Sequence, residues 1–206
     1  MGTIGAPVPR AGLSRAAVVA LAVELVDATP DGFSRLTLAA VAARAGVAVP
    51  SLYKHVGSLG ELQRAVALVG ADELLRRSTA ATVGRSGPDA LRALGHAIRQ
   101  FAHDRPGLYA ASQTATPARD SDPESLEVER RSGEIVATVA ATLRGFGVPD
   151  ERLIDAVRAA RAALHGFVDL EAAGGFGMPD SVDASFDYLL ELMIAGLRVH
   201  AAVPSA

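Results

Sequence analysis

Apolar residues recur at helical spacing along nearly the whole chain, and no useful stretch alternates with period two. Ser14 can cap a first helix whose inner stripe is Val18, Leu21, Ala22 and Leu25. Pro30-Asp31-Gly32 stops it, and Phe33 and Leu36 are placed to pack beneath the next two helices. The first of these is short and carries Leu38, Val41, Ala42 and Ala45 on one face. Gly46 sits where a tight turn needs positive φ, and apolar Val47 comes after it. Pro50 falls in the first turn of a second short helix, where its missing N–H costs nothing. Ser58 and Glu61 have capping-box spacing, so a long helix starts there and runs to about Arg77. Its second half, with Val66, Leu68, Val69, Leu74 and Leu75, joins the body and links it mechanically to the head.

Beyond it the pattern predicts a small, polar linker over 78–88 and a helix over 88–104 with Leu91, Leu94, Ile98 and Phe101 on one side. A short helix begins at Pro106 and reaches about 115, and a polar loop holding Pro117 fills 116–122. Long helices are predicted over 124–146, from an Asp150 cap to about 173, and over 183–201. Gly174-Gly175-Phe176-Gly177-Met178-Pro179 breaks the last two apart. Those glycines come after a helix rather than a strand, so helix termination explains them better than phosphate binding. The fold class is therefore all-α.

The helix–glycine turn–helix over 36–61 is the pattern of a helix-turn-helix, whose second helix lies in the DNA major groove. Its end is more specific than the motif. Leu52-Tyr53-Lys54-His55-Val56, a Gly57-Ser58 turn and Glu61 resemble the recognition-helix end of the TetR family of bacterial repressors, and the resemblance spans about residues 13–68. His103-Asp104-Arg105-Pro106-Gly107-Leu108-Tyr109 and Leu164-His165-Gly166-Phe167 resemble one TetR subgroup over roughly 88–200, with Leu164 where that subgroup usually has Trp. Pro7, Pro9 and Gly12 without a long apolar core mark residues 1–12 as a flexible arm, and the resemblance implies a three-helix DNA-binding domain (13–60) and a helical ligand-binding and dimerisation domain (61–206).

Composition narrows this picture. Half of the 206 residues are apolar and a fifth charged, which argues against global disorder. The chain has no cysteine, which removes disulfide and thiolate chemistry and suits a reducing cytoplasm. No apolar run approaches the ~20 residues of a membrane span, and the first dozen residues lack the apolar core of a signal peptide. Net charge is −3, yet residues 1–64 carry six Arg and Lys against four Asp and Glu. A mildly basic head on an acidic body suits phosphate contact at one end only.

Within the head, Tyr53 and His55 can donate to phosphates, and Lys54, the chain's single lysine, stands between them. The bland alternative packs Tyr53 on the first helix and uses His55 to finish its own. Base readout falls to Ala48, Val49, Pro50 and Ser51, with Thr37 at the front of the preceding helix. These side chains offer few bidentate hydrogen bonds, so readout leans on thymine methyls, Ser51, backbone groups and DNA shape. The family often has a polar residue at Ala48 and a lysine at Leu59. Their loss predicts modest affinity unless an arm around Arg10 and Arg15 compensates.

His96 and His103 lie seven apart on one face without a convergent third ligand, so no metal is expected. His165 and Asp169 are spaced for a hydrogen bond, but no nucleophile accompanies them. No cofactor is implied. By resemblance, an effector pocket is assigned to His96, Ile98, Phe101, Leu108, Tyr109, Gln113, Val139 and Leu143. A dimer interface is assigned to the stripes Leu153, Val157, Leu164, Phe167 and Phe186, Leu190, Met193, Leu197, with Ala162 and Gly166 allowing close approach. The reading is a homodimeric, ligand-responsive repressor that leaves a palindromic operator when a small apolar effector binds. The alternatives are a helical enzyme acting on small apolar molecules and a dimerisation module that no longer binds DNA.

Overall fold

The structure, a computed structural model, describes residues 13–29, 31–114 and 123–201, without the side chains of 200 and 201. The predicted arm with Arg10, the turn residue Pro30 and the loop around Pro117 lie outside these residues. Among the described residues every regular element is helical: α1 (Arg15–Val26), α2 (Leu38–Ala45), α3 (Val49–Leu52), α4 (Leu59–Thr82), α5 (Gly87–Asp104), α6 (Pro106–Gln113), α7 (Pro123–Arg144), α8 (Asp150–Ala172) and α9 (Val182–Ala201).

The chain divides into two compact units. One comprises Met1–Gly70 and Arg105–Val128, the other Ala71–Asp104 and Glu129–Ala206. Helices α4 and α7 each contribute to both. Helix α6 and the first turns of α7 thus cluster with the helix-turn-helix.

In the first unit, Ser14 caps α1 by accepting from the Ala17 N–H at 3.2 Å. Val18, Leu21, Ala22 and Val26 form its buried stripe, so Val26 takes the place expected for Leu25. Phe33 and Leu36 are buried with Val41, Ala42, Leu52, Val56 and Leu62. Gly46 ends α2 at φ 68°, the left-handed conformation its missing Cβ permits, and the Val47 N–H returns to the Ala42 carbonyl at 3.0 Å. Ser58 and Glu61 cap α4 in the manner of a capping box, with the return bond one residue earlier, at Gly57. The Glu61 N–H donates to Ser58 Oγ at 3.1 Å, and Glu61 Oε2 accepts from the Gly57 N–H at 2.8 Å.

In the second unit, α4 continues five residues past the predicted stop, and Ser78, expected in a linker, is buried within it. Small residues over 78–82 read as linker by composition, but Ser, Thr and Ala tolerate helix when packing favours it. One apolar cluster joins Ala140, Leu143, Val148, Leu153 and Val157. Another joins Leu164, Phe186 and Leu190 with Ile98, Phe167 and Met193 around it. Two ion pairs and a histidine–carboxylate contact between them bind α5 to α9. Arg92, His96 and Arg99 occupy one face of α5 and meet Glu191, Asp187 and Asp183 in reverse order, so the two helices run antiparallel.

Candidate nucleic-acid interface

The helix-turn-helix sorts its side chains by depth. Leu52 and Val56 are fully buried, which turns the intervening residues outward. Tyr53 is 56% exposed, Lys54 is exposed, and His55 is half-buried. The His55 and Val56 N–H groups both return to the Leu52 carbonyl, at 2.8 and 3.0 Å, so the backbone that presents Lys54 is a tight turn on a buried anchor. Tyr53 is the C-cap of α3 and is not packed away on α1.

At the other end of α3, Ala48 holds the N-cap position without a side-chain bond, as its methyl dictates. Ala48 and Pro50 are exposed, while Val49 and Ser51 are half-buried. Thr37 is exposed and caps α2, accepting from the Ala40 N–H at 3.1 Å. Its oxygen serves α2 while its hydroxyl hydrogen stays available to a neighbour. All eight residues assigned to DNA therefore sit on α2, α3 and the turn after it, and Thr37, Ala48, Pro50, Tyr53 and Lys54 are exposed.

Arg15 departs from its expected place in a DNA-binding arm. Its guanidinium lies 3.2 Å from Glu61 and also pairs with Glu124 at the start of α7. Sequence reasoning also missed Asp27. Arg105 and the Leu108 N–H, the latter at 2.9 Å, both donate to its carboxylate. A solitary acid near a helix end gives no periodic signal, although the Arg105-Pro106-Gly107-Leu108 run had stood out as a motif.

The residues assigned to an effector pocket fall in both units. Leu108, Tyr109 and Gln113 belong to the first unit, where Leu108 and Tyr109 are buried. In the second unit Leu143 and Val139 are packed in the cluster with Leu153 and Val157, Ile98 packs beside Leu164, and Phe101 is buried under Arg77. His96 lies on the surface, its Nε2 3.1 Å from Asp187 and its ring edge-on to Phe186. A cleft of about 420 Å³ opens beside it, lined by His96, Ala97, Arg99, Gln100, His103 and Asp183. This lining is polar. Arg99 is clamped by Glu171 at 2.6 and 2.8 Å and by Asp183 at 2.7 Å, and lies 5.0 Å from the Phe186 ring centroid. His103 adds a 3.0 Å contact to Glu171, and hydrogen bonds from Arg99 and then His103 hold that carboxyl down at about 2.

The residues of the dimer stripes lie within or beside the chain's own core. Leu153, Val157, Leu164, Phe186 and Leu190 are buried inside a single chain, with Phe167, Met193 and Leu197 packed beside them. An amphipathic stripe reads the same whether it faces its own core or a partner. The outward apolar residues of α8 and α9 are instead Ile154, Leu170, Tyr188, Leu192 and Val199. Gly166 has open space around the position a Cβ would take. His165 does meet Asp169, at 3.1 Å. Among the described residues no group of three or more His, Asp, Glu or Cys could hold a metal ion, and no helix is long and apolar enough to cross a membrane.

Comparison with known proteins matches both halves. Residues 29–66 fit the model of bacterial regulatory proteins of the tetR family, and residues 91–193 fit the tetracyclin repressor-like C-terminal domain. The HTH-type transcriptional regulator Rv0681 of Mycobacterium tuberculosis is 35% identical over 91% of this chain and 83% of its own. The HTH-type transcriptional regulator YobS of Bacillus subtilis is 30% identical over 93% of this chain and 96% of its own. A TetR variant from Acinetobacter baumannii, solved in complex with minocycline, shares the fold with a TM-score of 0.68 at 23% identity, over 93% of this chain and 100% of that one. The two sequence relatives are named as transcriptional regulators and not as enzymes. With a family match in each half and a relative this similar along most of its length, the chain belongs to the TetR family of DNA-binding transcriptional regulators.

Proposed function

We propose that this regulator is a cytoplasmic homodimeric repressor that binds a palindromic operator and releases it when a small molecule binds the second unit. The observation that carries the DNA-binding part is the outward Tyr53-Lys54-His55 turn on its buried Leu52 and Val56 anchors. Lys54 and Tyr53 reach phosphates, and Thr37 and Ser51 supply the hydroxyls at the groove. Ala48, Val49 and Pro50 offer only apolar contact, so sequence preference comes from thymine methyls and DNA shape.

The dimer is supported by α9. Tyr188, Leu192, Ala195 and Val199 are spaced by four, three and four residues and are all exposed, which makes a second apolar stripe besides the one in the core. A second copy pairing through this stripe, across the open positions of Gly166 and Gly196, would bury it and match a two-fold operator. The effector reading is supported by the relative solved with minocycline and by the cleft beside α5. The polar lining of that cleft favours a ligand with hydrogen-bonding groups over the purely apolar one expected from sequence.

A gel-shift with the full chain and the duplex upstream of its own gene tests the reading. Retardation by the native protein and its loss in Tyr53→Ala plus Lys54→Ala is the expected result. A protein that shifts no upstream duplex is not that gene's repressor. Leu192→Glu should run as a monomer by light scattering, and an unaltered dimer removes the α9 stripe from the interface.

A further inference from the structure

Helix α1 is held at both ends, by the start of α6 at one and by the first turn of α7 at the other. At its C-terminal end, Asp27 is the C-cap of α1 and also serves α6. Arg105, the N-cap of α6, makes no side-chain cap bond of its own. The orphan N–H of Leu108, in the first turn of α6, donates to Asp27 Oδ1 at 2.9 Å, and Arg105 Nε donates to Oδ2. One residue therefore ends α1 through its backbone N–H and caps α6 through its carboxylate, with that charge at the positive end of the α6 dipole. The approach is so close that a Cβ on Gly107 would overlap the Val26 carbonyl oxygen. At the N-terminal end, Arg15 joins Glu61 in the first turn of α4 to Glu124 in the first turn of α7. All these groups lie in the unit that carries the helix-turn-helix.

We propose that Asp27, Arg105, Arg15 and Glu124 are positioning residues, which fix α1 against α6 and the first turn of α7 and so orient α2 and α3 for DNA. This rests on the DNA-binding reading above. Helix α1 packs on α2, and Arg44 of α2 is 2.9 Å from Glu24 of α1, so a tilt of α1 carries α2 and α3 with it.

The experiment separates positioning from contact. Full-length Asp27→Asn, Arg105→Gln, Arg15→Gln and Glu124→Gln variants are titrated with upstream duplex across a range of salt. A residue that contacts phosphate gives up a slope of about 0.9 in log K against log salt when it is removed. The expected result is a loss of affinity of about tenfold, the scale of one charge-assisted hydrogen bond, at every salt and with the native slope. Asp27→Asn combined with Arg105→Gln should be no worse than the poorer single variant, because both remove the same bond. A reduced slope for Arg15→Gln makes Arg15 a phosphate contact and overturns the assignment at that end. Hydrogen exchange without DNA decides the matter independently of any operator. Amides of 38–56 should exchange at least several-fold faster in Asp27→Asn than in the native chain, and unchanged exchange there overturns the proposal. If the native chain binds no duplex while Asp27→Asn still loosens 38–56, the DNA-binding reading fails and the grip on α1 stands.

Discussion

Both units of the molecule are fastened by carboxylates, and they use them differently. In the first unit Asp27 is a capping acceptor. It satisfies a backbone N–H at the start of α6, and a close backbone approach at Gly107 comes with it. In the second unit Glu171 is a charge partner. It clamps Arg99 and faces His103, in a ladder that continues through Asp183, Asp187 and Glu191. A cap fixes where one helix starts against another and tolerates little displacement. A ladder of side-chain pairs holds two helices along their length and can lose a rung. The first arrangement suits a part that must present α3 in one orientation. The second suits a part that can yield along its length.

The sharpest way to break the first arrangement is to fill its contact. Gly107→Ala forces a methyl onto the Val26 carbonyl oxygen, and backbone cannot yield as a flexible side chain does. The expected cost is about 3 kcal/mol, at the upper end for overpacking, read as a lower urea midpoint for the native chain's unfolding. A variant within experimental error of the native midpoint would mean that α6 does not lie this close to α1.

The second arrangement should break less sharply and unevenly. The Arg99 side chain is 11% exposed and that of Glu171 16%, whereas Arg92 and Glu191 are 39% and 54% exposed. Removing Arg99 leaves a mostly buried carboxylate without its main partner, so Arg99→Ala should cost about 2 kcal/mol. Arg92→Ala should cost no more than about 0.5 kcal/mol, because an exposed pair is screened by water. Equal losses at the two rungs would contradict the ladder's gradient.

Acid sharpens the same contrast. Hydrogen bonds from Arg99 and then His103 hold Glu171 at about 2, and Arg76 and then Arg77 hold Glu73 at about 2. Both ordinary values are 4.5. A carboxyl held lower in the folded chain than in the unfolded one stabilises the fold fully above 4.5, and that stability is lost as pH falls toward 2. Both groups belong to the second unit, as do Asp104 and Glu191, which Arg77 and Arg92 respectively also hold low. The second unit should therefore loosen first between pH 4.5 and 2. Hydrogen exchange compared at pH 6 and pH 3.5, corrected for intrinsic rates, should show protection lost over 87–104 and 182–199 before 15–26. The reverse order would sink this assignment.

These contrasts also explain what the sequence could reveal. Helix periods, caps and glycine stops are local, so the described helices and the Ser58–Glu61 capping box could be read directly, along with the outward Tyr53-Lys54 turn. The depth of a stripe is not local. Leu153, Val157, Phe186 and Leu190 have the same spacing whether they meet their own chain or another, and only the packed chain reveals that they are core while Tyr188 and Leu192 face out. Partnership at long range is equally silent. Asp27 lies 78 residues from Arg105, and Arg15 lies 109 from Glu124. Arg15 near the N-terminus of a DNA-binding head looked like a phosphate ligand until its two carboxylate partners appeared. Leu108 and Tyr109, assigned to the pocket, form the buried foot of α6.

The smallest structural effect is expected at Lys54, and it is the most informative about function. Lys54 is exposed on a turn whose backbone is fixed by Leu52, and no ion pair to it appears among the described residues. Lys54→Ala should therefore leave the unfolding midpoint within about 0.5 kcal/mol of native, as surface substitutions do. On DNA it should reduce the slope of log K against log salt by about 0.9, because one phosphate regains its counterion. Tyr53→Phe removes a hydroxyl without charge, so it should weaken binding while leaving the slope alone. Both losses should be similar on operator and on unrelated duplex, since phosphate contacts carry no sequence code. Ser51→Ala, at the groove, should instead weaken the operator more than unrelated DNA. Finding the operator-specific loss at Lys54 and the uniform loss at Ser51 would exchange their roles, and α3 would then enter the groove by its other end.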